Sequence, residues 1–184
     1  MAGGPRFRGL SHRRRGRRTV TETSAGRAVV DLLEAESVRH VFGSSDRPSS
    51  TCWTSSTTTR ASSTSTFATS RGGAFMADGL ARVTAARAVC LVASGPGATN
   101  LVTGIAGAYV AHSTVVAIAG GSALGQQGRD AFQELDLVSL FGPVTKLSIQ
   151  VTDPGRIPQI LRLAFHTAMT GRKGPVFVDN RGTC

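Results

Sequence analysis

Apolar positions along the chain follow two periods that alternate. From Thr23 to Ala35, the residues Val29, Val30, Leu32 and Leu33 fall on one helical stripe, and Thr23 or Ser24 supplies an oxygen to cap the first turn. Val38 to Phe42 reads as a buried strand ending at Gly43. Ala74, Phe75, Met76, Ala77, Leu80 and Ala81 predict a helix with a small-residue face suited to close packing. Ala88 to Ala93 is a continuously apolar strand, followed by the turn Ser94-Gly95-Pro96-Gly97 and a small-residue helix over Ala98 to Val110. Thr114 to Ala119 is a further strand, and Asp130 to Leu140 holds a loop and a short helix. Val144 to Val151 is strand-like, Ile157 to Met169 is an amphipathic helix, and Val176 to Val178 is a last buried strand.

Between these segments lies a run of a different kind. Sixteen of the residues from Ser49 to Ser70 are Ser or Thr, without a helical or an alternating apolar period. Such a run buries too little surface to offset its ordering entropy, so residues 44–71 are expected to be irregular.

Alternating helices and strands, with strands apolar throughout, are the pattern of a parallel sheet covered on both faces. The expected fold class is α/β: a doubly wound parallel sheet of about five strands in a single domain over residues 23–184, incomplete where the Ser/Thr run stands. The length, 184 residues, holds one such core and is too short for two large ones. No stretch reaches the roughly 18 to 20 unbroken apolar residues of a membrane-spanning helix.

Charge adds less than its total suggests. The net charge is +10, but Arg6, Arg8, Arg13, Arg14, Arg15, Arg17 and Arg18 precede the first acidic residue, Glu22. Residues 1–22 therefore read as a disordered arginine-rich arm, not as a nucleic-acid-binding face built on a fold. The arm lacks the apolar face of a transit peptide, and a start codon set too far upstream in a GC-rich gene produces the same text. Cys52, Cys90 and Cys184 have no CxxC spacing and no nearby His. They give no zinc site or disulfide framework, and they favour a reducing, cytoplasmic setting.

Several short texts then occur in order: Ala74-Phe75-Met76-Ala77-Asp78-Gly79-Leu80-Ala81-Arg82, Ser94-Gly95-Pro96-Gly97-Ala98-Thr99-Asn100, Asp130-Ala131-Phe132-Gln133-Glu134, Thr145-Lys146 and Gly174-Pro175-Val176-Phe177-Val178-Asp179. In this order and spacing the chain resembles the N-terminal, pyrimidine-binding domain of thiamine diphosphate-dependent enzymes of the acetolactate synthase type. The resemblance implies a coenzyme, thiamine diphosphate, that attacks a 2-oxo acid, releases CO2 and holds the resulting carbanion. It implies that Gly95, Pro96, Gly97 and Asn100 lie near the coenzyme and that Phe132 and Gln133 lie on the substrate side. On the residues alone, Ser94–Gly97 is equally an ordinary strand-to-helix turn, Asn100 a satisfied helix-terminal Asn, and Phe132 a core residue beside a surface Gln. His112, Lys146 and His166 read as structural residues, and Glu134 stands in the wrong loop to be a catalytic acid. In intact members Mg2+ is held by a Gly-Asp-Gly motif in another domain, and some members hold FAD; no Gly-Asp-Gly occurs here.

One essential group of the family is absent. The resemblance implies a glutamate, in an Arg-His-Glu-Gln-Gly text just before the Ala-Phe-Met-Ala-Asp helix, that bonds the coenzyme's pyrimidine ring. Here Ala68-Thr69-Ser70-Arg71 stands in its place. Spelled GCC ACG AGC AGG, these residues become Arg-His-Glu-Gln when the frame starts one nucleotide earlier. The same shift turns Cys52-Trp53-Thr54-Ser55-Ser56 into a text containing Leu-Asp-Glu-Leu, and Asn180-Arg181-Gly182-Thr183-Cys184 into one containing Pro-Arg-Asp-Val. The expectation is a frameshifted, truncated fragment with no catalytic residue and no metal ligand of its own, inactive alone. The alternative is a non-catalytic interaction protein that keeps the family's dimer face, as a homodimer or with paralogues.

Overall fold

The computed structural model describes residues 25–43, 63–66, 69–120, 125 and 128–180. The arginine-rich arm, most of the Ser/Thr run and residues 181–184 lie outside them. The elements in chain order are α1 (Ala25–Ala35), β1 (His40–Gly43), β2 (Ser63–Thr66), α2 (Ser70–Thr84), β3 (Ala88–Ala93), α3 (Pro96–Thr99), α4 (Val102–Val110), β4 (Val115–Gly120), α5 (Leu137–Phe141), β5 (Leu147–Val151), α6 (Ile157–Met169) and β6 (Val176–Asn180). Single 3₁₀ turns at Gly142–Val144 and Pro154–Arg156 lead into β5 and α6.

The strands form one six-stranded sheet in the order β2-β1-β3-β4-β6-β5, and every pair is parallel. The expected α/β architecture is what the chain adopts. Two details differ from expectation. The sheet has six strands rather than about five, and the sixth lies inside the segment expected to be irregular, with His40 opposite Ser63 and Gly43 opposite Thr66. Helix α2 also begins within that segment, at Ser70. The physical reason is that a sheet edge offers a row of free backbone donors and acceptors, which any strand-competent text can pair with. Alternating Ser and Thr meet that condition without apolar side chains, since β-branched Thr favours extended backbone.

Alternation along the strands divides the core in two. Val41, Val89, Leu91, Val116, Ile118, Val176 and Val178 face α1 and α6, which bury Val29, Leu32, Leu33, Ile160, Leu161 and Phe165 against them. The opposite face carries Phe42, Ala88, Cys90, Val92, Ala117 and Phe177 under α2, α4 and α5. Phe141 of α5 stacks on Phe177 with ring centroids 3.9 Å apart and planes 8° from parallel. That second face is rich in alanine, and its helices approach closely. A Cβ on Gly104 would stand 2.5 Å from the Cβ of Ala74 and 3.0 Å from its carbonyl carbon. Gly107, one turn along the same helix, has nothing within 4 Å.

These two glycines have opposite expected responses. Gly104→Ala should destabilise by about 1–3 kcal/mol through overpacking against α2. Gly107→Ala should stabilise by roughly 0.5–1 kcal/mol, because it removes only backbone entropy from a helix interior. Urea denaturation of both variants checks the pair, and a shift of the same sign in each would contradict the packing.

Candidate functional site

Parallel strands deliver their following loops to a single rim, where ligands bind in open α/β sheets. At this rim the turn after β3 is shaped by glycine. Gly95 has φ +62° and ψ −126°, a conformation that L side chains rarely adopt. It is also crowded: a Cβ there would lie 2.7 Å from the Cβ of Gln133 and 3.0 Å from its carbonyl oxygen. Pro96 opens α3 and is exposed, Gly97 is buried, and Asn100 follows α3 with an exposed side chain. The Asn100 N–H donates to the Pro96 carbonyl at 3.2 Å.

The loop after β4 closes onto this turn. Ser94 Oγ donates to the Gln133 carbonyl at 3.3 Å. Glu134 braces the loop from within, accepting from the Gly128 N–H at 2.7 Å and the Ala131 N–H at 3.1 Å. Asp130 and Gln133 both have positive φ, +55° and +62°, which marks a backbone held by its surroundings. Phe132 is 67% exposed, so it is not the core residue that its chemistry alone allows.

The start of α2 completes the rim. Thr69 caps the helix, with φ −146° and its Oγ1 accepting from the Gly72 N–H at 3.4 Å. Ser70, the first helical residue, is 4% exposed, and its Oγ lies 4.0 Å from the position a Cβ would take on Gly97. Ser70 thus stands beside the glycine turn.

The structure brings Gly95 to Gln133 and Gly97 to Ser70, while Asn100 and Phe132 point to solvent. Reading the sequence missed two devices, the Glu134 brace and the Ser94 hydroxyl bond. A side chain that bonds amides three to six residues away carries no periodic signal, and a hydroxyl that donates to a carbonyl 39 residues on leaves no local one. The other singled-out residues have structural partners. Lys146 Nζ donates to the carbonyls of Thr167 and Thr170 at the end of α6, His166 lies near the Thr170 hydroxyl, and His112 Nδ1 accepts from Arg172 Nε at 3.0 Å.

The family described as thiamine pyrophosphate enzyme, N-terminal TPP binding domain, matches residues 23–140. The chain belongs to this family. It is 50% identical over 109 residues to a probable acetolactate synthase large subunit of Methanocaldococcus jannaschii, covering 59% of this chain and 18% of the relative. Against the acetolactate synthase large subunit of Corynebacterium glutamicum it is 51% identical over 109 residues, 59% of this chain and 17% of the relative. Against acetolactate synthase isozyme 3 large subunit of Escherichia coli it is 52% identical over 104 residues, 56% and 18% respectively. The chain therefore spans less than a fifth of the length of these relatives.

Within this thiamine-dependent family fold, Cys90 is a core residue and not a nucleophile. It is fully buried on β3, its Sγ 3.8 Å from the Gly73 carbonyl, and burial pushes its thiol up to about 12. The folded value lies above the ordinary 9.0, so Cys90 contributes stability below pH 9 that is lost as pH rises toward 12. Alkylation by iodoacetamide at pH 8.5, read by peptide mass spectrometry, should spare Cys90 in the folded chain and modify it in urea. Gly95→Ala should loosen the loop over residues 128–136. Hydrogen exchange at Ala131 should then rise at least about tenfold, the equivalent of 1.4 kcal/mol, since strain and a clash act together.

Proposed function

We propose that this chain is the pyrimidine-binding piece of an acetolactate synthase-like enzyme, acting in the cytoplasm on a small 2-oxo acid, and that it is inactive alone. The observation that carries the second half is Ser70, a buried hydroxyl where the coenzyme's ring would meet a carboxylate. Bound thiamine diphosphate supplies the carbanion chemistry. The residues here fit only part of that task. The glycines shape the turn at the rim, but a serine hydroxyl does not exchange a proton with a ring nitrogen as a carboxylate does.

Four acidic side chains have other engagements. Asp78 is bonded by Arg82 at 2.9 and 2.5 Å, Glu134 braces its loop, Asp136 caps α5 through the Ser139 N–H, and Asp179 accepts from Gln150 Nε2 at 3.1 Å. No step through the coenzyme follows from this set. On this reading Mg2+ and any FAD are held by other parts of the whole enzyme.

A slipped reading frame accounts for Ser70. The chain matches its relatives at about half identity, and a GC-rich spelling of residues 52–56 and 68–71 gives family words when read one nucleotide earlier. Sequencing the gene tests this, and codons for 52–71 that do not spell those words one nucleotide earlier would defeat it. Purified chain supplied with pyruvate, thiamine diphosphate and Mg2+ should form no acetolactate above a protein-free blank, and product formation would overturn the inactivity.

A second reading, an interaction protein, rests on the outer face of α2 and α4. Phe75, Met76, Val83 and Val110 are exposed there, Val83 by 86% and Val110 by 76%. Gly79 and Gly107 on the same two helices have open space around them. Apolar side chains beside bare backbone suit a close helix contact with a second copy or a paralogue. Sedimentation at rising concentration should show a dimer that Met76→Asp dissociates, whereas a monomer at every concentration would remove this reading.

A further inference from the structure

The rim at the amino ends of the strands, opposite the candidate site, has a charge pattern that the family reading does not use. Because all strands are parallel, the residues that precede them line up along one edge. Arg39 precedes β1, Arg87 precedes β3, His112 precedes β4, Lys146 precedes β5, and Arg172 with Lys173 precedes β6. Carboxylates here are Glu34 and Glu36, and Glu36 is already paired with Arg87 at 3.3 Å. Arg39, Lys146, Arg172 and Lys173 form no ion pair among the described residues. Among the described residues, the opposite rim carries Asp130, Glu134, Asp136 and Asp153 beside Arg71, Arg129 and Arg156, so charges of both signs meet there.

Helix ends account for part of this. α4 and α6 end at the basic rim, and a helix C-terminus carries about half a negative charge. Lys146 serves the end of α6. Arg172 and Lys173 lie beyond the helix ends, exposed. Arg172 donates its Nε to His112 Nδ1 and forms no ion pair among the described residues. Exposed cations without counter-ions suit a partner that brings carboxylates.

We propose that this basic rim docks an acidic polypeptide segment. Neighbouring strands lie about 4.8 Å apart, so the row from β1 to β5 runs roughly 20 Å, the reach of about six extended residues. A carboxylate-bearing segment laid across the strand starts meets a cation at most of them. Nucleic acid fits less well. The uncompensated cations are too few to hold a phosphate backbone at physiological salt, and the one aromatic on the neighbouring last turn of α4, Tyr109, is half-buried and offers no stacking platform.

The test uses the full chain and a fluorescent decaglutamate peptide, with anisotropy read at low and at physiological salt. The double variant Arg172→Glu/Lys173→Glu should weaken binding at least about tenfold, whereas Arg162→Glu, exposed on α6, should change it less than about twofold. The control is needed because the arginines before Glu22 also attract anions. Equal weakening by rim and control variants, or none by either, overturns the rim as a docking site. A DNA duplex that loses more affinity than the peptide on the same rim reversal overturns the choice of partner. Matching far-ultraviolet spectra and melting points keep the comparison among folded proteins.

Discussion

Helix α4 crosses α2 at a point where one side chain must be missing. Gly104 meets Ala74 so closely that a single methyl group would stand 2.5 Å from another. With that approach allowed, both helices lie flat on the alanine-rich face of the sheet. The start of α2 and the turn before α4 are then brought to the same rim. Packing of this density transmits small volume changes instead of absorbing them, so the site's geometry depends on a contact that includes none of its residues.

The candidate site is therefore a by-product of layering. Gly95 accepts a backbone conformation that other residues resist, which lets the loop after β4 settle on the turn with Gln133 against it. Glu134 and Ser94 lock that loop from both sides. Ser70 arrives from α2 with a buried hydroxyl beside the glycine turn. The scaffold of the site rests on backbone packing and its chemistry on single functional groups, so the two are separable.

Electrostatics follow the same topology. A parallel sheet sends strand starts to one end and strand finishes to the other, so any bias in loop composition becomes a charge difference between two surfaces. Here the described residues at the strand starts are mostly basic. The seven arginines that precede Glu22 obscure this pattern in the net charge of +10.

Much of the architecture was legible in the chain itself. The strand Ala88–Ala93 and the helix Ile157–Met169 have the predicted bounds, because an unbroken apolar run and a 3.6-residue stripe each allow one way of burial. The family texts were equally visible, since they are properties of residue order. Strand β2 was not legible: its text has no apolar period, and what defines it is its backbone pairing with β1. Nor were the Gln133–Gly95 contact or the alignment of the strand starts along one rim. The first joins residues distant in the chain and the second depends on which way the strands run; local sequence determines the elements while only their packing decides which of them meet.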